Sequence, residues 1–262
     1  MPMEFHEPAF KKIRKLGMLP LTSIYDPRDL DFLEKLDCSI YKISSFEMTY
    51  FDLLRAVAQT GKDIILSTGM SSIEEIKKSL DVIGKENSKS TVTLMHCISA
   101  YPTPTENSNL NSIKTMKETF GLNIGFSDHT LGSEAAILAY ALGATSIEKH
   151  ITNDCQRAGP DHRFSAELST LKEITDGIKR IKVLGGSGNK QITQIEKRNK
   201  IMGRRSAFTT EIIEKGEKIS KENFRFVRPG AGIPANSDKS IIGRKLNKKL
   251  EKGHPITWDD LE

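Results

Sequence analysis

The chain has 262 residues, 37% hydrophobic content and a formal net charge of +5, enough to bury one large core with a small satellite, or two modest cores. No run of about 18 apolar residues occurs, and the opening "MPMEFHEPAFKKIRKLG" has no apolar signal stretch; a membrane span and export are therefore unsupported, and a cytoplasmic location is expected. Residues 190–262 carry 17 Lys plus Arg against 10 Asp plus Glu, and the first 189 carry 22 against 24. The basic tail has few aromatics and no recognisable binding motif, so a small anion or an acidic protein surface is the expected partner rather than nucleic acid.

In chain order, a helix-like segment "FHEPAFKKIRKLG" is followed by a repeated strand-then-helix beat. Apolar or β-branched runs occur at "MLPLTS", "SIYKISS", "DIILSTG", "VTLMHCIS", "NIGFSDH" and "TSIEKHIT". Between them lie helical patterns at "DPRDLDFLEKLD", "TYFDLLRAVAQTG", "SIEEIKKSLDVIG", "NSIKTMKETF" and "SEAAILAYALGA". Strands buried on both faces and joined by helices predict a parallel sheet. Ser72, three residues before Glu75, has capping-box spacing and predicts a helix opening directly after "STGM". A further helix, "STLKEITDGIKRIKVLGG", ends in glycines. The polar stretch over residues 187–202 then reads as a linker, and residues 203–262, with short strands and glycine turns, as a separate β-rich domain.

In parallel βα architectures ligands gather at the carboxyl ends of the strands. There the sequence places Lys42, Ser44, Ser45 and Glu47; Ser67 and Thr68; Ser99 and Tyr101; Ser127, Asp128 and His129; then Glu148, Lys149 and His150, with Asp161 shortly after. His129 and His150 close consecutive strands, so their imidazoles can converge on one divalent cation, leaving open positions for water or substrate oxygens. Hydroxyls and an ammonium at helix-opening loops suit a phosphate, although serines also stand at helix starts as simple caps. His96, inside an apolar strand, reads as packed; His162 either lines the pocket or caps a loop. Cys38, Cys97 and Cys155 lack metal-type spacing and read as small core residues rather than nucleophiles.

"YKISSFE", "ILSTGMSSIEEI", "MHCISAYPTP", "GFSDHTLG", "GATSIEKHIT" and "GPDH", followed by "GRRSAF", "IEKGEKIS" and "VRPGAGI", together resemble the sialic acid synthase family of nonulosonic acid synthases over essentially the whole chain. The resemblance implies an α/β fold, a (β/α)₈ barrel (synthase domain, 1–186) followed by an antifreeze-like SAF domain. It implies condensation of phosphoenolpyruvate with an N-acetylated sugar aldehyde. By the same resemblance His129 and His150 bind Mn²⁺, with Mg²⁺ or Co²⁺ as alternatives. Lys42, Ser45, Ser67 and Ser127 hold phosphoenolpyruvate, with Ser99 nearby, and Glu47, Tyr101 and Asp161 face the acceptor sugar. The candidate catalytic carboxylates are Glu47, Asp161 and Glu148. Arg228 matches an arginine that reaches the neighbouring subunit's barrel, so a domain-exchanged homodimer is expected.

Only six strand-like runs precede the linker, whereas a closed barrel of this type has eight. Two βα units are therefore expected to be absent from the amino-terminal side, and such a chain would be weakly active or a non-catalytic remnant or partner subunit. "SSFE" is similar to pseudaminic acid synthases and "GPDH" to the sialic and legionaminic types. An N-acetylmannosamine-like acceptor is the first expectation and a 2,4-diacetamido-6-deoxy sugar the alternative.

Overall fold

In the strand Ile40–Ile43 (β2), Tyr41 and Ile43 are fully buried in the apolar core while Lys42 points the other way, as the twofold side-chain period of a strand requires. The same alternation buries Ile64 and Leu66 of β3 (Asp63–Ser67), Leu94 of β4 (Val92–Cys97), and Ile124 and Phe126 of β5 (Asn123–Asp128). Together with β1 (Thr22–Ser23) and β6 (Ile147–Lys149), these strands form one parallel sheet in the order β1-β2-β3-β4-β5-β6. The computed structural model describes residues 2–87 and 90–262, and the chain divides into two units, Met1–Gly186 and Ser187–Glu262.

Helices cover the apolar face of the sheet in the first unit. They are α1 (His6–Lys15), α2 (Leu30–Lys35), α3 (Phe51–Gln59), α4 (Ile73–Glu86), α5 (Ser112–Phe120), α6 (Glu134–Ala141) and α7 (Leu168–Gly185). Leu53, Leu54 and Val57 of α3, Ile76 and Ile83 of α4, and Ile113 and Met116 of α5 pack into the same core as the strand residues. The capping box predicted at Ser72 is present: its side chain accepts from the Glu75 amide at 3.2 Å, and the Glu75 carboxylate accepts from the Ser72 amide at 2.8 Å. The opposite face of the curled sheet carries the polar residues. Pairing of Cys97 with Ser127, and of Ser127 with Glu148, puts all three on that face.

The second unit opens with α8 (Gln194–Gly203), so most of this ten-residue helix lies in the stretch expected to be linker. Thr193 and Glu196 form its capping box, a local signal that the polar composition of the stretch concealed. Beyond it, β7 (Ser206–Thr209) pairs antiparallel with β8 (Phe224–Val227), and α9 (Asp238–Ile241) follows. Ala207, Ile213, Ile233, Leu246 and Ile256 form a small separate core. Within "VRPGAGI", a Cβ on Gly232 would lie 2.5 Å from the Ile256 carbonyl oxygen and 2.9 Å from that of Ala207. Backbone cannot yield as a side-chain tip can. Gly232→Ala is therefore expected to destabilise the second unit by about 1–3 kcal/mol, the usual cost of overpacking; thermal unfolding measures this, and an unchanged midpoint would contradict it.

Candidate active site

The carboxyl ends of β1 to β6 and the loops that follow line a cavity of about 390 Å³. On its floor the Lys42 ammonium, its side chain 7% exposed, donates to Ser67 Oγ at 2.8 Å and stands 3.5 Å from Glu148 Oε2. Ser127 Oγ donates to Glu148 Oε1 at 2.7 Å. Glu148 thus serves as internal counterion to a buried cation that would otherwise lie unpaired. Beside this group, the Gly69 amide donates to Ser45 Oγ at 2.9 Å. Ser99 Oγ is buried there without a hydrogen-bond partner among the described residues. A Cβ on Gly69 would meet Ser99 Oγ at 2.3 Å and Ser45 Oγ at 2.9 Å, so only glycine lets the backbone come this close.

His129 and His150 meet at the same end, their ring centroids 5.5 Å apart. At that separation both rings can reach one ion, because metal–nitrogen bonds are about 2 Å long. The Nδ1 of His129 lies 2.9 Å from the Ile98 carbonyl oxygen, a contact that places the proton on Nδ1 and leaves Nε2 as the lone-pair donor. Burial, and then the neighbouring His129, hold the His150 imidazole below the usual histidine range, which favours its neutral, ligating form. Asp161 Oδ2 stands 3.9 Å from His150 Nδ1. Tyr101 packs its ring 4.2 Å from that of His129. Among the described residues no group of three or more His, Cys, Asp or Glu side chains could hold a metal, so a cation on these imidazoles would complete its shell with water or substrate oxygens.

One position earlier in each strand the two tips are tied together. Asp128 and Lys149 form an ion pair of 2.7 Å with side chains 0% and 5% exposed. Lys149 Nζ also donates to the Thr130 carbonyl at 2.6 Å, and Asp128 Oδ1 accepts from the Thr130 amide and hydroxyl. The pair joins the tips of β5 and β6, one residue before each imidazole.

Sequence-derived candidates fall into three groups. Lys42, Ser45, Ser67, Tyr101, Ser127, His129, Glu148 and His150 all line the cavity, and Ser99 stands against Gly69 beside it. Glu47 instead accepts a hydrogen bond from the Ser44 hydroxyl, and the Asp161 side chain is 60% exposed beside His150. Arg228 belongs to the second unit, where its Nε donates to the Gly203 carbonyl at 2.7 Å. His96 is packed, stacked on Phe126 and bonded to the Ser108 carbonyl at 2.8 Å. His162 caps its loop through Thr152 Oγ1 at 2.7 Å. Ser23, Tyr25, Phe46, Cys97 and Lys149 also line the cavity. The strand-end rule, applied to "MLPLTS", would have found Ser23; a search for polar groups alone passed over the two aromatics.

A βα sheet with a floor of ammonium and hydroxyl groups beside two convergent imidazoles defines a class of small-molecule enzyme sites rather than one reaction. The comparisons narrow it. The NeuB family model matches residues 1–190 and the SAF domain model residues 204–262. The uncharacterised protein MJ1065 of Methanocaldococcus jannaschii is 40% identical over 99% of this chain and 78% of its own length. Pseudaminic acid synthase of Helicobacter pylori is 35% identical over 100% and 76%. The crystal structure of spore coat polysaccharide biosynthesis protein E from Chromobacterium violaceum superposes with a TM-score of 0.82 at 26% identity, covering 100% of this chain and 79% of that one. The chain belongs to the NeuB family of nonulosonic acid synthases and carries the SAF domain at its carboxyl end. Among the described residues no helix is long and apolar enough to cross a membrane.

Lys149→Met leaves Asp128 buried and unpaired, and is expected to destabilise the first unit by about 3–5 kcal/mol, the cost of breaking a buried pair from one side. Denaturant unfolding reads this directly; a loss below about 1 kcal/mol, typical of surface pairs, would show that the clamp is not buried.

Proposed function

We propose that the chain condenses phosphoenolpyruvate with an N-acetylated amino-sugar aldehyde to give a nonulosonic acid and inorganic phosphate. The observation that carries this reading is the adjacency of two ligand-competent imidazoles to a floor of Lys42 and serine hydroxyls. Lys42, Ser45, Ser67, Ser99 and Ser127 hold the phosphate and carboxylate of phosphoenolpyruvate, with the orphaned Ser99 Oγ finding its partner there. His129 and His150 hold a divalent ion, Mn²⁺ by resemblance. When bound, the ion polarises the acceptor aldehyde as a Lewis acid.

A carbon–carbon bond forms from C3 of phosphoenolpyruvate to the aldehyde carbon, whose oxygen takes up a proton. Water adds at C2, and the C2–oxygen bond breaks as phosphate departs. Glu148 touches the floor where that water must arrive, and accepts its proton once the incoming anion has drawn Lys42 and Ser127 away. Asp161, beside His150, positions acceptor hydroxyls; Glu47 reaches them only if it leaves the Ser44 hydroxyl. The six strands correspond to six of the eight in a (β/α)₈ barrel, a reading supported by their unbroken sequential order. Large apolar side chains stand exposed on the loops after β3, β5 and β6, namely Met70, Leu131 and Ile151. They favour the expectation that a second copy covers this end in a homodimer, with Arg228 as its contribution.

Phosphate release measured with and without sugar and chelator tests the reaction. Release is expected only with phosphoenolpyruvate, sugar and divalent ion together; sugar-independent or chelator-insensitive release would overturn it. His129→Ala and His150→Ala should each lower kcat by about 100-fold or more, the scale of losing an electrostatic stabiliser. Lys42→Ala should instead act through phosphoenolpyruvate, lowering kcat/KM for it by about 10- to 100-fold, since a hydrogen bond to a charged group contributes about 1.5–3 kcal/mol. An unchanged value would remove Lys42 from the anion site.

A further inference from the structure

The second unit holds more cations than it answers with acids. Lys248 stands 2.6 Å from Asp260, Lys249 lies 3.2 Å from Glu214, and Arg244 Nε donates to the Glu262 main-chain oxygen at 3.0 Å. Another group has no such partners. Lys197, Lys200 and Arg204, at the i, i+3 and i+7 spacing of one helix face, run along α8 to its carboxyl end. With Arg205 they line a cavity of about 530 Å³ that lies wholly within the second unit. No carboxylate lines it, and none of the four cations is ion-paired among the described residues. Arg205 Nη1 donates to the Phe226 carbonyl at 2.9 Å, which fixes that guanidinium at the cavity wall.

Cations at a helix carboxyl end often answer only the backbone dipole, which amounts to about half a negative charge. Four positive charges exceed it. The end carbonyls are also already satisfied: that of Ile201 accepts from the Gly230 amide at 2.7 Å, and that of Gly203 from Arg228 Nε at 2.7 Å. Like charges gathered in one hollow repel one another, and a counter-anion brought from outside relieves them. Ile192, Ile201 and Pro234 give the same cavity an apolar wall. A bare inorganic ion gains nothing from that wall, whereas the body of an organic anion buries apolar area against it. We propose that this cavity is a further ligand site that takes a small organic diphosphate. Its phosphates meet Lys197, Lys200, Arg204 and Arg205, and its body rests on Ile192, Ile201 and Pro234. One phosphate ester carries about 1.5 to 2 negative charges, so two phosphate groups come closer to balancing four cations than one does. The arginine forks hold pairs of phosphate oxygens. The volume lies within the range of about 300–1,000 Å³ usual for small-molecule sites. The proposal is independent of the condensation reading, since no residue of the first unit takes part.

Isothermal titration calorimetry on the full chain tests this with uridine diphosphate, geranyl diphosphate and pyrophosphate, in about 0.15 M salt, where charges more than about 8 Å apart are largely screened. At least one organic diphosphate is expected to bind one equivalent per chain about fourfold or more tighter than pyrophosphate, the effect of burying one methylene group. Which of the two binds tighter tells a nucleoside body from an aliphatic one. Lys200→Gln/Arg204→Gln should weaken that binding by about 10-fold or more, through the loss of charged hydrogen bonds. Lys215→Gln/Lys252→Gln removes the same charge from exposed positions outside the cavity and should change it by less than about twofold. Thermal midpoints check that both variants fold, and the wild-type comparison with pyrophosphate stands without either. Absence of binding, pyrophosphate as tight as both organic ligands, equal weakening in the two double variants, or undiminished binding in Lys200→Gln/Arg204→Gln would each overturn the proposal.

Discussion

The buried ion pair between Asp128 and Lys149 is the constraint on which the site depends. Two strand tips of a parallel sheet are not obliged to hold their next residues in any common orientation, and a histidine at the end of each would usually point into its own loop. Here a carboxylate and an ammonium, both removed from water and 2.7 Å apart, join β5 to β6 one residue before the rings. Neither charge can leave without stranding the other in a low-dielectric environment. The Thr130 amide, hydroxyl and carbonyl complete the shell and extend the clamp into the loop that carries His129. The imidazoles that follow this pair converge to 5.5 Å between ring centroids, and the Ile98 carbonyl 2.9 Å from His129 Nδ1 leaves Nε2 as the free nitrogen.

The same logic governs the floor. Lys42 is buried enough to need a counterion, and Glu148 supplies one at 3.5 Å while accepting from Ser127. A phosphate brings more negative charge and more acceptor oxygens than a carboxylate, so on the proposed function it would compete for both donors and free Glu148. On that proposal, the carboxylate that now pairs with Lys42 and Ser127 would become available as a base. The design needs no large movement, only an exchange of partners among Lys42, Ser127 and Glu148.

Much of this is legible in the sequence. Six strand-like runs, the capping box at Ser72 and the packed His96 follow from periodicity and local hydrogen-bond chemistry, which are properties of short segments. The strand-end rule found Lys42, Ser67, Ser127, Glu148 and both imidazoles, because a parallel sheet forces the ends of its strands to one side. Nothing in "SSFE" announces that Glu47 will accept from the Ser44 hydroxyl. Composition misled over residues 187–202, where a polar surface helix looks like a linker until its capping box is noticed. Tyr25 and Phe46 were invisible to a search for polar chemistry, since an exposed aromatic acquires meaning only beside a cavity.

The central claim is that one cation binds between His129 and His150. Titrating Mn²⁺ into the protein and following the electron paramagnetic resonance of the free ion tests it without turnover. One equivalent should disappear from the free signal in the wild type, with nitrogen couplings from two imidazoles in the bound spectrum, and binding should weaken sharply in His129→Ala and in His150→Ala alike. Undiminished binding in either variant, or a bound spectrum without nitrogen couplings, would contradict the account.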